Sequence, residues 1–274
     1  MHEHIHLPDG RNGHLWYHRP QGHLHHWHHH DPPEFNLVLR GRGTYLLADR
    51  RYELDAHCLV WLFPGQEHRL VDMSRDFRMW IAIIDPAVLE AAAPTGRTLL
   101  ERDPAGCFAR RLATADSDLI DRICSDLAVA DQACFNTGLP YCFLSAWSAF
   151  GRADPARARR LHPAIETALR LLDRDPELAA DGLATAVGLS RAHCCRLFRE
   201  QVGQTLTAYR TRLRLEGVRT RLQRQPHRAL LPLALEAGFG SYAQFYRAVR
   251  MHWRCSPREL VDADRAAKPP GPAG

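Results

Sequence analysis

Leu183-Ala-Thr-Ala-Val-Gly-Leu-Ser-Arg-Ala-His-Cys-Cys-Arg-Leu-Phe198 decides the fold of the C-terminal part of this 274-residue chain. Ala184 and Gly188 stand four apart. A small residue lets two helices cross closely, and glycine supplies the tight turn between them. Leu189 is placed to plug the core, and Ser190 is a natural N-cap for the helix that follows. Helical spacing turns Cys194, Leu197 and Phe198 inward and leaves Arg191, Ala192, Cys195, Arg196 and Arg199 outward. Gly203 ends that helix. Two short helices joined in this way make a helix-turn-helix, whose second helix can enter a DNA major groove.

The same frame returns at Leu233-Ala-Leu-Glu-Ala-Gly-Phe239, with Ala234 and Gly238 in the equivalent places. Gly240-Ser241 caps the next helix, where Phe245 and Val249 fall inward while Tyr242, Ala243, Tyr246, Arg247 and Arg250 can face out. Between the two frames, Thr207 to Leu222 reads as an Arg-rich amphipathic helix of suitable length to connect them. Upstream, His162-Pro-Ala-Ile-Glu166 opens a helix through Leu172, which Asp173 to Pro176 closes. Ser256-Pro-Arg-Glu259 is a capping box that starts a short last helix. One Ala-x-x-x-Gly would be weak evidence; two, each followed by a capped helix with Arg outside, are specific.

The C-terminal part resembles the AraC/XylS family of bacterial transcription regulators. The resemblance is carried by Leu183-Ala to Phe198, by Tyr209 with Arg212-Leu-Arg-Leu-Glu216, by Ala234-x-x-x-Gly-Phe239 and by Ser256-Pro257, and His162-Pro to Gly203 is similar to the family's entry into its first unit. It implies a domain whose two recognition helices reach successive major-groove segments on one face of promoter DNA. Carried over by position, the first helix reads DNA through Ala192, Cys195 and Arg196, with Arg191 beside them, and the second through Tyr242, Ala243, Tyr246 and Arg247. Alanine offers a thymine methyl only apolar contact, so Arg196 and Arg247 are the main candidates for base or phosphate contact. There are departures. Arg254 stands where the family usually has Gly, at a cost of about 1 kcal/mol if the backbone there is left-handed. Val249 replaces a usual Phe, and Leu206 and Gly217 are also atypical.

The charge balance points the same way once it is split. The formal total is +5. Residues 1–154 hold 15 Arg against 20 acidic residues, a net of −5, and the remainder holds 20 Arg and Lys268 against 11, a net of +10. A basic half suits a polyanion, nucleic acid first, with a merely solvated basic surface as the alternative. Hydrophobic residues at 45% and charged residues at 24% exclude wholesale disorder and coiled-coil architecture. No apolar run approaches the roughly 18 residues of a membrane span, and the N-terminus lacks the apolar core of a secretory signal. The eight cysteines show no C-x-x-C spacing, which with no signal reads as free thiols in a reducing, bacterial cytoplasm.

The N-terminal half reads differently. Short apolar segments at Glu34–Arg40, Thr44–Ala48, Tyr52–Leu54, Leu59–Phe63 and Phe77–Ile84 alternate with Gly and Pro turns, the pattern of a small β-barrel or sandwich. From Ser117 the period becomes helical, with Leu119, Ile120, Ile123, Leu127 and Ala130 on one stripe and Leu139, Phe143, Leu144, Trp147 and Phe150 on another. Gly151 to Pro155 reads as a linker. The expected fold class is α+β multi-domain: a cupin-like sensory β-barrel over 1–112, a helical linker and dimerisation region over 113–154, an all-α double helix-turn-helix domain over 155–264, and a disordered tail over 265–274.

Of 17 histidines, 13 lie between His2 and His68. Gly22, His28-x-His30, Glu34 and Gly41 match in spacing the first motif of the cupin superfamily, and Gly65-x-x-His68 matches part of the second. The resemblance implies that His28, His30, Glu34 and His68 converge on one divalent transition metal ion; three imidazoles and a carboxylate suit Fe(II), Mn(II), Ni(II), Co(II) or Zn(II). Alternation puts His28 and His30 on one face of a strand. His57 and Cys58 fall where the second motif usually has Gly-Asp and are candidate additional ligands, while His23, His25, His26 and His29 crowd nearby. Many sensory cupins instead hold a small organic effector and no metal. The leading expectation is therefore a non-enzymatic, homodimeric DNA-binding regulator controlled by a small molecule or metal, touching RNA polymerase if it activates. The alternatives are a metal-dependent cupin dioxygenase or isomerase fused to a DNA-binding tail, and a metal-storage module.

Overall fold

The computed structural model describes residues 2–20, 27–47, 49–93, 97–101, 106–225 and 227–266. His23, His25, His26, Gly22 and most of the expected tail lie outside them. The chain divides between Leu161 and His162 into two compact units. No helix among the described residues is long and apolar enough to cross a membrane.

The first unit contains, in chain order, β1 (Gly13–His18), β2 (Glu34–Arg40), β3 (Gly43–Leu47), β4 (Arg50–Leu54), β5 (Cys58–Leu62), β6 (His68–Met73), β7 (Arg78–Ile84), α1 (Pro86–Ala92), α2 (Arg97–Leu100), β8 (Ala109–Arg111), α3 (Thr114–Ala128), α4 (Gln132–Arg152), β9 (Asp154–Pro155) and β10 (Ala158–Arg160). The five strands read from sequence are β2, β3, β4, β5 and β7, within one or two residues at their ends. They do not close into one barrel. A six-stranded sheet runs β1-β7-β2-β5-β8-β9 and a four-stranded sheet runs β10-β4-β3-β6, each antiparallel throughout. An isolated antiparallel bridge joins His28 to His68.

Alternation along β2 assigns the two faces of the larger sheet. Phe35 and Trp61 turn toward α4, where Phe143 lies 4.9 and 5.8 Å from their ring centroids. Glu34 and Asn36 therefore point the other way, and Asn36 Nδ2 lies 3.5 Å from the Tyr45 hydroxyl on β3 of the smaller sheet. Residues 113–154, expected to link domains or form a dimer seam, fold as α3 and α4 into the same core as the six-stranded sheet. Ile120, Leu127, Leu139, Phe143 and Phe150 of the two stripes are buried, but Leu119 is 39% exposed. Trp80 Nε1 on β7 donates to Asp121 Oδ1 on α3 at 2.6 Å. The segment read as a linker is structured: Gly151 and Arg152 end α4, and Asp154–Pro155 pairs with β8. All eight cysteines are free thiols.

The second unit is helical: α5 (Pro163–Arg174), α6 (Ala180–Ala186), α7 (Arg191–Val202), α8 (Leu206–Arg224), α9 (Leu230–Glu236), α10 (Tyr242–His252) and α11 (Pro257–Ala266). Local chemistry sets these boundaries. His162 Nδ1 caps α5 by accepting from Ala164 N, and Pro163 occupies its first position. Ser190 Oγ caps α7 by accepting from His193 N at 3.3 Å, and Ser241 Oγ caps α10 by accepting from Gln244 N at 3.2 Å. At α11 the capping box closes in both directions: Glu259 N donates to Ser256 Oγ and Ser256 N to the Glu259 carboxylate. Phe198 on α7 meets Tyr209 on α8 edge-on at 5.2 Å. Further along α8, Leu215, Val218 and Leu222 enter the core built by Leu233, Ala234, Phe239, Phe245 and Val249. The connecting helix thus serves both helix-turn-helix units.

Candidate functional site

In α7, Cys194 and Phe198 are fully buried, Leu197 and Cys195 are half-buried, and Arg191, Ala192, Arg196 and Arg199 are exposed. Leu189 only half-fills the position behind the turn, whereas its counterpart Phe239 is buried. Arg191 makes an exposed ion pair: its Nη1 donates to Asp181 Oδ2 on α6 at 3.1 Å. Arg196 has no ion pair among the described residues. In α10, Phe245 and Val249 are buried, and Tyr242 and Tyr246 are 41% and 42% exposed beside exposed Ala243 and Arg247. Both helices thus present an apolar face inward and a basic or aromatic face to solvent, in a repeated frame with turn glycines at φ 69° (Gly188) and 84° (Gly238).

In the first unit, the ligating nitrogens of His28, His30 and His68 lie within 4.8 Å of one another. His30 and His68 are almost completely buried, and His28 sits nearer the surface. His30 Nδ1 is 2.8 Å from Pro32 O, and His68 Nδ1 is 2.8 Å from Gln66 O. A carbonyl only accepts, so both rings carry a proton on Nδ1 and turn Nε2 to the cluster. Metal-ligating imidazoles are oriented by this kind of outer hydrogen bond. Glu34 meets the group through His30, Oε2 to Nε2 at 3.0 Å. Its other oxygen accepts from Asn36 Nδ2 at 2.7 Å.

His30 therefore faces an acceptor on each nitrogen, an arrangement that favours its protonated form. Burial opposes that charge, but the Glu34 hydrogen bond and carboxylate outweigh it and raise the His30 pKa. Burial also opposes ionisation of Glu34, yet the His30 contact and the Asn36 amide bring its pKa down to about 2. His68 goes the other way: burial, then the neighbouring His28, lowers it to about 3, so its Nε2 lone pair is available near neutrality. Beside Glu34, Asn36 Oδ1 is buried without a hydrogen-bond partner among the described residues.

Three of the four sequence-derived ligand candidates thus converge directly, and Glu34 joins through one of them. His57 and Cys58 do not join. His57 sits in the β4–β5 turn at φ 68°, and Cys58 Sγ donates to Asp55 Oδ1 at 3.2 Å, with burial raising its pKa to about 11. Sequence reasoning missed Asn36, Tyr45 and Gln66, although the spacing of Glu34 and Asn36 along one strand face was a usable signal. It also missed Glu3, whose Oε2 lies 3.6 Å from His28 Nε2.

Residues 16–183 match the family described as AraC-like ligand binding domain, and residues 183–263 match a helix-turn-helix domain family. An uncharacterized HTH-type transcriptional regulator of Haemophilus influenzae is 28% identical over 101 residues, 37% of this chain and 33% of that protein. The probable transcription factor PqrA of Proteus vulgaris is 33% identical over 89 residues, 32% of this chain and 72% of that protein. Among solved structures, an AraC-type transcriptional regulator from Chromobacterium violaceum is similar over 39% of this chain and 96% of its own, with 30% identity and a TM-score of 0.35. ToxT from Vibrio cholerae is similar over 91% of this chain and 97% of its own, with 11% identity and a TM-score of 0.38.

Proposed function

The chain belongs to the AraC family of DNA-binding transcription regulators, and on that premise we propose that it binds promoter DNA through α7 and α10 under the control of a ligand held between its two sheets. The observation that carries the DNA reading is the doubled frame: two capped helices, each buried through Cys194 and Phe198 or Phe245 and Val249, with the opposite face open. Arg196, Ala192 and the half-buried Cys195 supply the contacts of the first unit, and Tyr242, Ala243, Tyr246 and Arg247 those of the second. Arg191 contributes after exchanging Asp181 for a phosphate. Arginine supplies salt-dependent affinity, and a few side chains supply specificity. Selection of bound sequences from a random duplex pool, followed by anisotropy titration, tests this. Enrichment of two motifs one helical turn apart is the expected outcome, and no enrichment refutes it.

For the ligand, we propose one divalent transition metal ion on His28, His30 and His68, with Glu34 balancing its charge. The donor set fits such an ion: three imidazoles, two of them already oriented through Nδ1, and one carboxylate. For the ion to bind, His30 Nε2 must be unprotonated and exchange its contact with Glu34 for the metal. Elemental analysis of untagged protein is the test. About one equivalent in the wild type, lost in the His28→Ala/His68→Ala double variant, supports the reading. A polar organic effector is the second reading, favoured by the buried Asn36 Oδ1, which has no hydrogen-bond partner among the described residues. The enzyme alternative gains no support, because the family is one of regulators. Control requires that the ligand bind two arrangements of the protein unequally. Assembly as a homodimer, and contact with RNA polymerase if the protein activates, belong to the same proposal; sedimentation with and without metal tests the first.

A further inference from the structure

We infer that Glu3 supplies a second carboxylate to the three-histidine centre, giving a divalent ion five protein donors: His28, His30, His68, Glu34 and Glu3. The inference rests on the metal reading of that centre and goes beyond it by assigning a ligand from a distant part of the chain. Glu3 is not placed by its side chain alone. His2 pairs in parallel with His29, and Glu3 N donates to His29 O at 2.9 Å. His2 Nε2 lies 3.3 Å from Asp31 Oδ1, and its ring centroid 5.2 Å from that of His29. Backbone and side-chain ties thus hold the N-terminal segment along the stretch that carries His28 and His30.

Two physical arguments point to coordination. The first is distance. Donors bonded to one transition ion at about 2.0–2.2 Å stand roughly 3–3.5 Å apart from their neighbours. Glu3 Oε2 and His28 Nε2 are 3.6 Å apart, and Glu34 Oε2 and His30 Nε2 are 3.0 Å apart. Each carboxylate stands near one imidazole at about that separation, but the mutual 4.8 Å grouping holds the three histidines alone, so both carboxylates must turn inward to reach a shared ion. The second argument is charge. A divalent ion with three neutral imidazoles and Glu34 keeps a net charge of +1 among groups nearly closed to solvent, since the His30 and Glu34 side chains are 2% and 6% exposed. An uncompensated buried charge is costly. Glu3 cancels it from the rim, where its side chain is 49% exposed and that of His28 is 16% exposed. Five nitrogen and oxygen donors suit a five- or six-coordinate Fe(II), Mn(II), Co(II) or Ni(II) better than a closed tetrahedral zinc site.

Cobalt(II) is the probe, because its visible spectrum reports coordination number. The full-length, untagged chain is titrated with Co(II) against a competing chelator, beside Glu3→Gln, Asp9→Asn as an exposed acidic control on the same segment, and the His28→Ala/His68→Ala pair. Glu3 is exposed, so its variant is expected to fold as the wild type, which circular dichroism checks. The expected result is one equivalent in the wild type and in Asp9→Asn. Glu3→Gln binds at least about tenfold more weakly, with an altered visible band. Unchanged affinity and spectrum in Glu3→Gln overturn the inference while leaving the three-histidine centre standing, as does weaker binding with an unchanged spectrum, which would make Glu3 a bystander charge. A wild type that takes up no Co(II), or uptake that survives the double histidine variant, overturns the metal reading itself, and the role of Glu3 with it.

Discussion

The two helix-turn-helix units keep the same hidden frame and wear different faces. Leu183, Ala184 and Gly188 repeat as Leu233, Ala234 and Gly238, fifty residues on. Their turns close through equivalent bonds: Leu189 N donates to Ala184 O at 2.9 Å, and Phe239 N to Ala234 O at 3.0 Å. The second turn then carries one extra residue before its cap, Gly240, and the Gly240 N–H donates to Gln244 Oε1. From the caps onward the offset is 51. Ala192 and Arg196 recur as Ala243 and Arg247, but Arg191 and Cys195 become Tyr242 and Tyr246. The part of the repeat that builds the crossing is held by steric and backbone requirements that apply equally twice. The exposed part is free to diverge, and it differs in which groups it offers to DNA.

The shared arginines give the largest expected effect. Arg196→Ala and Arg247→Ala should each weaken binding to a selected operator about tenfold or more, the loss of one base or phosphate contact worth ~1–3 kcal/mol. Anisotropy over a range of salt separates the two kinds of contact, since loss of a phosphate contact also lowers the salt dependence. Should only one arginine matter, the two units do not engage DNA alike, and the parallel between their outer faces breaks.

The turn glycines sharpen the comparison at the level of the frame. Both have positive φ, where an L side chain costs about 1–2 kcal/mol. A Cβ at Gly188 meets open space, whereas one at Gly238 would come within 1.9 Å of Glu177 Oε1. That carboxylate is held by Arg214 through contacts of 2.9 and 3.1 Å. Gly238→Ala should therefore destabilise the C-terminal unit more than Gly188→Ala does. The surplus is up to about 1 kcal/mol, the scale of a solvent-screened ion pair. Urea unfolding measures both. In a Glu177→Ala background the surplus should vanish; if it persists, something other than this carboxylate distinguishes the two turns.

These same residues explain what was legible in the sequence. Gly188, Ser190, Gly203, Ser241 and Ser256 act within a few residues of themselves, through a positive φ or a cap, so their neighbourhoods reveal their roles. His28 and His30 were legible from their spacing, although the strand expected to carry them is only a pair of isolated bridges at His28 and His29. Glu3 was not, because its approach to His28 depends on a pairing with His29 that no local pattern announces. The division into two sheets was hidden too: β1 lies in the His-rich stretch, β6 opens on His68-Arg69, and β8 is three residues long. Nor does Leu119, apolar and on the expected stripe of α3, reveal its 39% exposure, which depends on what the neighbouring elements cover.

The smallest effect concerns the ends of the two recognition helices. Gly203 and Arg254 stand twelve residues after the first residues of α7 and α10, and both are left-handed, at φ 83° and 58°. The repeat thus asks for the same backbone twice and has glycine to supply it only once. Relieving the strain should favour Arg254→Gly by about 1 kcal/mol, offset in part by the greater freedom of glycine in the unfolded chain. A net gain of roughly 0.5 kcal/mol is expected. Arg254→Asn avoids most of that offset, because asparagine tolerates this conformation without adding glycine's freedom. It should gain as much or more. Gly203→Asn and Gly203→Arg supply the mirror test, with the arginine variant losing about 1 kcal/mol and the asparagine variant less. Thermal unfolding of the four variants orders them. If Arg254→Gly is instead destabilising, the guanidinium makes an interaction worth more than the strain, and the end of α10 is built on a different principle from the end of α7.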